Sequence, residues 1–416
     1  MKQASPPQLQ LDGAAMLCQI RELGDIGRDD ELGGRTRIAF TDAEKAGRDQ
    51  LLRWMRELEL QVAVDGIGNI FGTLPAAGNA TARPLMLGSH IDTVKNAGAL
   101  DGCYGVLAGL AVVRAYRQAG ILPARPITVA AFSNEEGVRY QPDMMGSLVH
   151  AGGLSLQAAL DSRGIDGTRL GDELLRIGYA GELAAGSIVP HAYLELHIEQ
   201  GPVQEAEGVQ IGAVANLQGI SWQLLTIQGK ANHAGTTPMH LRHDAGFAAA
   251  AIVTFVRRLA AQSGSTLATV GSLHVEPDLI NVIPRKAVLT VDLRSPDEGA
   301  LQAAEQALRD FLAELEVQEQ VRIHSEPLAR FTPVQFDAAL VAEVERAAGR
   351  RGLSCRRMTS GAGHDAQMIA RIAPAAMIFV PSHGGISHNP REHTDDAQLI
   401  QGAEILLDVV MSRLQA

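Results

Sequence analysis

Apolar runs that end in polar residues alternate along the chain with segments whose apolar residues have helical spacing. Residues 43–60 have the helical pattern, with Thr41 or Asp42 available as the cap, and residues 105–120 are also predicted to be helical. The stretch QVAVDGIGNIFGTL alternates around an Asp-Gly turn signal and predicts a pair of strands. PLMLGSH and PITVAAF are short apolar runs that predict buried strands.

The alternation of strands and helices predicts an α/β domain with a mostly parallel sheet flanked by helices. Both buried strands run out into polar residues, in GSHID and in FSNEE. Functional sites in parallel sheets gather at the carboxyl ends of the strands. We therefore expect the polar residues after these two strands to belong to one site.

The pattern changes near residue 214. Residues 214–328 show a strand–helix–strand–strand–helix–strand series, which predicts a small inserted α+β sandwich. The remaining segment, 329–416, carries a glycine-rich loop with a candidate metal ligand. We therefore predict a discontinuous catalytic domain, 1–213 with 329–416, and a second domain over 214–328.

Composition narrows the class of protein. Hydrophobic residues make up 46% of the chain and charged residues 20%, which describes a soluble globular protein, and the net charge of -11 argues against a nucleic-acid partner. No apolar run approaches the length of a membrane span. The three cysteines form no CxxC pair and the polar N-terminal segment lacks a signal peptide's apolar core, so we expect a cytoplasmic location.

Residues that bind divalent metals stand in short glycine-marked segments scattered along the chain, so tertiary folding must assemble any site that they form. Imidazole and carboxylate ligands without thiolates suit zinc and manganese first, and cobalt or nickel are compatible. A further glutamate, Glu135, is available as the proton shuttle of a metal-assisted hydrolase. The candidate ligands are His90, Asp101, Glu136, His197 and His388.

Two of these segments have simpler interpretations as well. In GSHIDTV we expect His90 on a metal and Asp92 behind it, fixing the imidazole tautomer, although such a pair alone also fits a surface turn. In SNEEG the two glutamates diverge if the strand ends there, which makes Glu136 a ligand and Glu135 the general base and acid. An acidic doublet alone is also typical of a solvated helix.

The other two segments leave similar choices open. In YLELHIEQGP, alternation predicts that His197 and Glu199 face one way, and Gln200 is a candidate substrate contact. A lone histidine on such a strand is often structural. In GGISHNPREHTD, His388 is our candidate ligand, and spacing alone does not choose between it and its neighbours His383 and His393.

Taken together, these segments resemble the hydantoinase/carbamoylase family of amidases, a branch of the dinuclear metallopeptidase superfamily, from about residue 20 onward. LELHIEQGP is the most specific segment, because peptidase branches usually have an acidic ligand where this chain has His197. The segments that carry the resemblance are GSHIDTV, LDG, NEEG, LELHIEQGP, GKANHAGTTPM, NVIP, VDLR, SGAGHDA and ISHNPREHT.

The resemblance implies two divalent metal ions. One would be bound by His90 and His197 and the other by Glu136 and His388, with Asp101 bridging. It also supports Glu135 as the catalytic acid and base.

For the inserted domain, the resemblance implies a lid that also forms a homodimer. His233 would stabilise the tetrahedral oxyanion, from the lid or from a partner subunit. Asn281 and Arg294 match positions that hold the substrate carboxylate, a task that suits a planar guanidinium. His364 matches a loop near the site, with helix capping as the alternative. VRYQPDMMGS and the region near Gly361 are expected to line the substrate pocket.

The expected reaction is hydrolysis of the linear amide C–N bond of an N-carbamoyl-L-amino acid, which releases ammonia, carbon dioxide and the amino acid. Allantoate or another ureido acid is the first alternative substrate, and an aminoacylase or dipeptidase activity is the next. From a different class, the chain could be a catalytically silent carboxylate-binding or scaffold protein. The intact Glu135 beside an intact ligand set favours an enzyme with a small-molecule substrate, without a nucleic-acid or membrane partner.

Overall fold

The computed structural model describes residues 9–78 and 81–415. The first eight residues, part of the segment expected to lack a signal peptide, lie outside the described residues. Contacts divide the chain into two compact units, the first formed by Met1–Ala215 with Phe336–Ala416 and the second by Asn216–Gln335. The predicted boundaries, 214 and 328, lie close to these. The lid and dimerisation role of the second unit stays a prediction.

The described helices and strands are numbered in chain order. The N-terminal part contains α1 (Gly13–Asp25), α2 (Asp42–Glu57), β1 (Gln61–Val64), β2 (Ile70–Leu74), β3 (Leu85–His90), α3 (Cys103–Ala119), β4 (Ile127–Phe132), α4 (Met145–His150), α5 (Leu156–Leu160), α6 (Leu170–Arg176), β5 (Ala192–Ile198), α7 (Val203–Glu207) and β6 (Ile211–Leu217). The second unit contains β7 (Gly219–Gln228), α8 (Ala245–Ser263), β8 (Leu267–Glu276), β9 (Lys286–Ser295), α9 (Glu298–Glu319) and β10 (Arg322–Phe331). The C-terminal part contains β11 (Val334–Gln335), α10 (Ala338–Arg350), β12 (Cys355–Ser360), α11 (Asp365–Ile369), β13 (Ala375–Val380) and α12 (Asp396–Gln415).

The first unit is built on one mixed sheet with the order β1-β2-β4-β3-β5-β13-β6-β11, and β12 pairs with β6. The neighbouring pairs β4–β3, β3–β5 and β5–β13 are parallel. Every residue of these four strands is buried, as expected for parallel strands covered on both faces. The prediction of an α/β domain with a mostly parallel central sheet is confirmed.

The predicted local elements are also present. QVAVDGIGNIFGTL forms the antiparallel pair β1–β2. Thr41 is the cap of α2, because its side chain accepts a hydrogen bond from the Glu44 N–H. None of the described helices is long and apolar enough to cross a membrane.

The second unit has a four-stranded antiparallel sheet with the order β10-β7-β9-β8. Buried residues alternate along β9, and its buried side chains, among them Leu289 and Leu293, pack in one core with residues of α8 and α9. The predicted strand–helix–strand–strand–helix–strand series is confirmed by the order from β7 to β10.

The parallel strands bring the polar segments of the first unit to one edge. His90, the last residue of β3, is paired with Phe132, the last residue of β4. His197 near the end of β5 is paired with Phe379 of β13. The loops after β3, β4, β5 and β13 therefore leave the sheet on the same side, and these loops carry the other predicted ligands.

Candidate metal centre

Asp101 is shared by two groups of metal-ligating side chains. One is His90, Asp101 and His197, the other is Asp101, Glu136 and His388, and within each group the donor atoms lie within 4.8 Å of one another. Asp101 Oδ1 is 3.2 Å from His197 Nε2 and 3.6 Å from His90 Nε2. Asp101 Oδ2 is 3.0 Å from His388 Nε2, which is 3.4 Å from Glu136 Oε2. The two oxygens face different groups, as a bridging carboxylate requires.

The two buried imidazoles are held in one tautomer by backbone carbonyls. His90 Nδ1 is 3.0 Å from the carbonyl oxygen of Asp92, and His197 Nδ1 is 2.8 Å from that of Ile198. A carbonyl oxygen can only accept, so Nδ1 carries the proton in both rings. The Nε2 atom of each ring faces Asp101, and the Gly102 N–H donates to His197 Nε2 at 3.1 Å.

The carboxylate of Asp92 has a different role from the predicted one. We expected its carboxylate to fix the His90 tautomer, but the Asp92 backbone carbonyl does this, and the carboxylate oxygen lies 3.6 Å from the ring. The carboxylate instead accepts hydrogen bonds from the backbone N–H groups of Glu135, at 3.2 Å, and Glu136, at 3.3 Å. Asp92 therefore fixes the turn that presents the two glutamates.

The two glutamates lie beside different ligand groups. Asn134 has a positive φ of 53°, so the chain turns sharply after β4. Glu135 Oε2 then lies 3.3 Å from His90 Nε2, whereas Glu136 lies beside His388. Burial raises the pKa of Glu135 well above its usual range. Burial, followed by the carboxylate of Asp101, raises the pKa of Glu136 to about 8.

The loop that carries Asp101 is fixed by Glu392, a residue that our sequence analysis missed. Its Oε1 accepts from the backbone N–H groups of Leu100, at 2.8 Å, and Asp101, at 3.3 Å, and its Oε2 accepts from Ser387 Oγ at 3.0 Å. A Cβ at Gly98 would lie 2.1 Å from Glu392 Oε1, so only glycine fits there. Glu392 thus ties the Asp101 loop to the His388 loop.

Gln200 also contacts Asp101. Its Nε2 donates to Asp101 Oδ2 at 2.9 Å and to Ser387 Oγ at 3.2 Å. Glu199 does not share a face with His197 as alternation predicted, because β5 ends at Ile198. Its carboxylate instead accepts from the N–H groups of Val203 and Gln204 at the start of α7.

A cavity of about 160 Å³ lies beside these groups. His364 lines it, and its side chain makes no capping hydrogen bond to α11. Burial lowers the pKa of His364 well below its usual value, so the ring is neutral. Gly361 itself is exposed, and its neighbours Ala362 and Gly363 line the cavity. The complete lining is Asp101, Glu135, Glu136, Asp143, Gln200, Ala362, Gly363, His364 and His388.

The histidines that competed with His388 lie elsewhere. His383 pairs with Glu205 at 2.8 Å, and His393 lies 3.3 Å from Asp395. The hydrogen bond to Asp101 raises the pKa of His388 to about 9.

A second buried carboxylate that we did not single out, Glu195, lies behind His197. It accepts from Ser89 Oγ at 2.7 Å and from the Ala366 N–H at 2.8 Å. Glu195 and His197 are two residues apart on β5, so strand alternation places them on one face. This alternation was the signal in the sequence that could have revealed Glu195.

The three predicted residues of the second unit do not gather at one place within it. His233 and Asn281 are neighbours, because the Ala234 N–H donates to the Asn281 carbonyl at 3.0 Å. Arg294 is near the far end of β9, eight residues beyond Lys286, which corresponds to roughly 27 Å of strand. Its guanidinium pairs with Asp292 at 2.9 Å. Within one copy of this unit, Arg294 and Asn281 therefore lie far apart.

The donor set fits divalent cations. Three imidazoles and two carboxylates without a thiolate suit zinc, manganese, cobalt or nickel. The raised pKa of Glu136 means that its negative charge is poorly compensated by the protein alone, and a cation between Glu136 and Asp101 would compensate it. The two groups around Asp101 therefore fit two ions.

Comparisons with known proteins agree with this arrangement. Residues 86–412 match the family described as Peptidase family M20/M25/M40. The chain is 40% identical to an N-carbamoyl-L-amino-acid amidohydrolase of Rhizobium meliloti, over 91% of each chain. It is 34% identical to an allantoate amidohydrolase of Bacillus subtilis, over 91% of this chain and 92% of the relative. The crystal structure of a hydantoinase/carbamoylase family amidase from Burkholderia multivorans has a TM-score of 0.95 and 41% identity, and it covers 99% of this chain and 100% of its own.

Proposed function

The chain belongs to peptidase family M20/M25/M40 and, within it, to the hydantoinase/carbamoylase amidases, and from this premise we propose that it hydrolyses the linear amide C–N bond of an N-carbamoyl-L-amino acid. The products would be ammonia, carbon dioxide and the amino acid. The observation that supports this most is the buried Glu135 beside two ligand groups that share Asp101.

We assign one ion to His90 and His197 and the other to Glu136 and His388, with Asp101 between them. When bound, two divalent ions, zinc or manganese in our proposal, would supply a water of lowered pKa and would polarise the substrate carbonyl. The hydrogen bonds at Nδ1 of His90 and His197 leave Nε2 as the atom of each ring that would bind the ion.

Glu135 is the group that moves protons. It lines the cavity, and the strand-end turn held by Asp92 places its carboxylate 3.3 Å from His90. Its carboxylate would take a proton from the attacking water and deliver it to the leaving nitrogen. The buried surroundings that raise its pKa also favour the protonated form that must exist between these two steps.

The substrate carboxylate is assigned to Asn281 and Arg294, and the oxyanion to His233. Because a single second unit separates Arg294 from Asn281 by the length of β9, these roles fit better if two copies contribute to each site. This supports a homodimer that forms through the second unit. Sedimentation velocity should then give twice the mass of one chain. The three free cysteines are compatible with the cytoplasmic location that we propose.

Allantoate is the second candidate substrate, because a relative of 34% identity is named for that activity. An aminoacylase or dipeptidase activity is the third. Ammonia release by the purified, manganese-supplemented protein separates them when measured against N-carbamoyl-L-amino acids, N-carbamoyl-β-alanine, allantoate and N-acetyl amino acids. Turnover of a carbamoyl substrate that a chelator abolishes would support the proposal. Turnover of N-acetyl substrates alone would move the protein to the aminoacylases.

The Glu135→Gln variant tests the role of the base. We expect its turnover to fall by about 10²- to 10⁴-fold, because general acid–base catalysis contributes about that much. The metal content should stay at the wild-type level, since Glu135 is outside both ligand groups. Glu22→Gln, at an exposed position on α1, is the matched control. Full activity of Glu135→Gln would contradict the assignment.

A further inference from the structure

Asp143 is a carboxylate in the cavity that neither the ligand assignment nor the catalytic base uses. It stands in the loop between β4 and α4, and it lines the cavity together with Glu135, Glu136 and His388. The predicted pocket segment VRYQPDMMGS contains it.

The backbone holds Asp143 in a fixed position relative to the glutamates. The Met144 N–H donates to the Glu135 carbonyl at 2.7 Å, and the Met145 N–H donates to the Asn134 carbonyl at 3.2 Å. Asn134 Nδ2 in turn donates to the carbonyl of Tyr140 at 2.9 Å. The Asp143 loop is thereby anchored to the same strand end that presents Glu135, so the backbone of Asp143 is held in place at the cavity.

The Asp143 carboxylate lacks a donor from the protein's side chains. Within residues 9–78 and 81–415, no side chain donates a hydrogen bond to it or forms an ion pair with it. Its own backbone N–H donates to it, and burial nevertheless raises its pKa, as expected for a carboxylate without a side-chain partner. A donor on a ligand would offset this cost of burial.

We propose that Asp143 determines the specificity for a carbamoyl group by accepting a hydrogen bond from its terminal NH₂. This inference rests on the proposed function and names the part of the substrate that the cavity recognises. The carbamoyl group is the reacting end of the substrate, so its NH₂ lies beside the ligand groups whose cavity Asp143 lines. There a carbamoyl group has NH₂ where an acetyl group has a methyl. A methyl group would give Asp143 no hydrogen bond, and a site built for an NH₂ group discriminates against such an analogue.

The test compares substrates that differ only at this end. Values of kcat/KM are measured for the N-carbamoyl and N-acetyl derivatives of the same L-amino acid, with wild type, Asp143→Ala, Asp143→Asn and the control Asp30→Ala. Asp30 is an exposed carboxylate in the loop after α1. We expect Asp143→Ala to lower kcat/KM for the carbamoyl substrate by about 10- to 100-fold and to leave the acetyl substrate within about twofold. Asp143→Asn keeps one acceptor oxygen and should recover part of the loss.

A second measurement does not depend on turnover. In the Glu135→Gln background, calorimetry of metal-loaded protein should show that Asp143→Ala weakens binding of the carbamoyl compound by a similar factor and leaves the acetyl compound unaffected. Equal losses for both substrates, or no loss for either, would overturn the role of Asp143 while wild-type carbamoyl turnover still upholds the proposed function. If the wild type hydrolyses no carbamoyl or ureido substrate at all, the proposed function and this inference both fail.

Discussion

Replacing Asp92 with asparagine distinguishes two possible roles of its carboxylate. The carboxylate could support the candidate ligand His90, or it could hold the turn that carries Glu135 and Glu136. The buried carboxylate gives one oxygen to the Glu135 N–H and the other to the Glu136 N–H. Asparagine has one acceptor oxygen, and its NH₂ group cannot accept a hydrogen bond. One of the two backbone N–H groups therefore loses its partner, whichever way the amide is turned.

The size of the effect follows from these contacts. A buried donor without a partner costs about 1–3 kcal/mol, and the remaining bond loses the assistance of the negative charge. We expect the free energy of unfolding to fall by about 2 kcal/mol. The turn that carries both glutamates should shift, and a displacement on the order of 1 Å at a reacting group lowers the rate by about 100-fold. Because the backbone carbonyl of residue 92 still holds His90, the ion at His90 and His197 should stay bound.

Three measurements on the purified Asp92→Asn variant check this reasoning: urea unfolding, kcat/KM for the best carbamoyl substrate, and metal content by plasma emission. Asp30→Asn, which removes an exposed carboxylate, serves as the control. The reasoning predicts a large loss of turnover with at least one ion retained per chain. Loss of both ions together with an unchanged free energy of unfolding would refute it, because that result would mean that the carboxylate supports His90 rather than the glutamate turn.

Two further predictions concern other buried carboxylates. Glu392→Gln should keep more than about half of the wild-type kcat, because its oxygen still accepts from the Leu100 and Asp101 N–H groups and its NH₂ can donate to Ser387. Glu392→Ala should lose about 100-fold in kcat/KM. Equal kinetic constants for the two variants would contradict this prediction. Burial raises the pKa of Asp65 from 3.8 to about 6, so its contribution to stability is complete below about pH 4 and is lost as the pH rises through 6. Urea unfolding of wild type relative to Asp65→Asn should then show a decline of about 3 kcal/mol between pH 3 and pH 8, and a flat difference would contradict the shift.

The parts of the site that could be predicted from sequence are those next to strand ends. His90 and Glu136 follow apolar runs that form buried parallel strands, and the carboxyl ends of parallel strands meet at one edge. The apolar character of these runs is a local property, so the buried strands and the edge at which their polar residues meet could be predicted from it. The hydrogen bonds that fix the histidine tautomers, in contrast, go to backbone carbonyls, and the sequence does not show them.

Glu392 could not be predicted because its function depends on a contact across 292 residues of sequence, with the Leu100 N–H. Its local context, REHT, shows a charged loop before a helix, which usually means a solvated residue. Only the fold shows that the loops of Asp101 and His388 adjoin, and that Gly98 leaves room for the glutamate between them.

The separation of Asn281 and Arg294 could have been foreseen. KAVLTVDLRS alternates strictly and therefore predicts an extended strand. The residues between NVIP and the arginine then span most of that strand's length, so both side chains cannot reach one small carboxylate from the same copy of the unit. If both positions act on the substrate, as we propose, the residue spacing itself requires that a second chain supply one of them. Within this proposal, the homodimer is a condition for substrate recognition rather than an accessory feature of the fold.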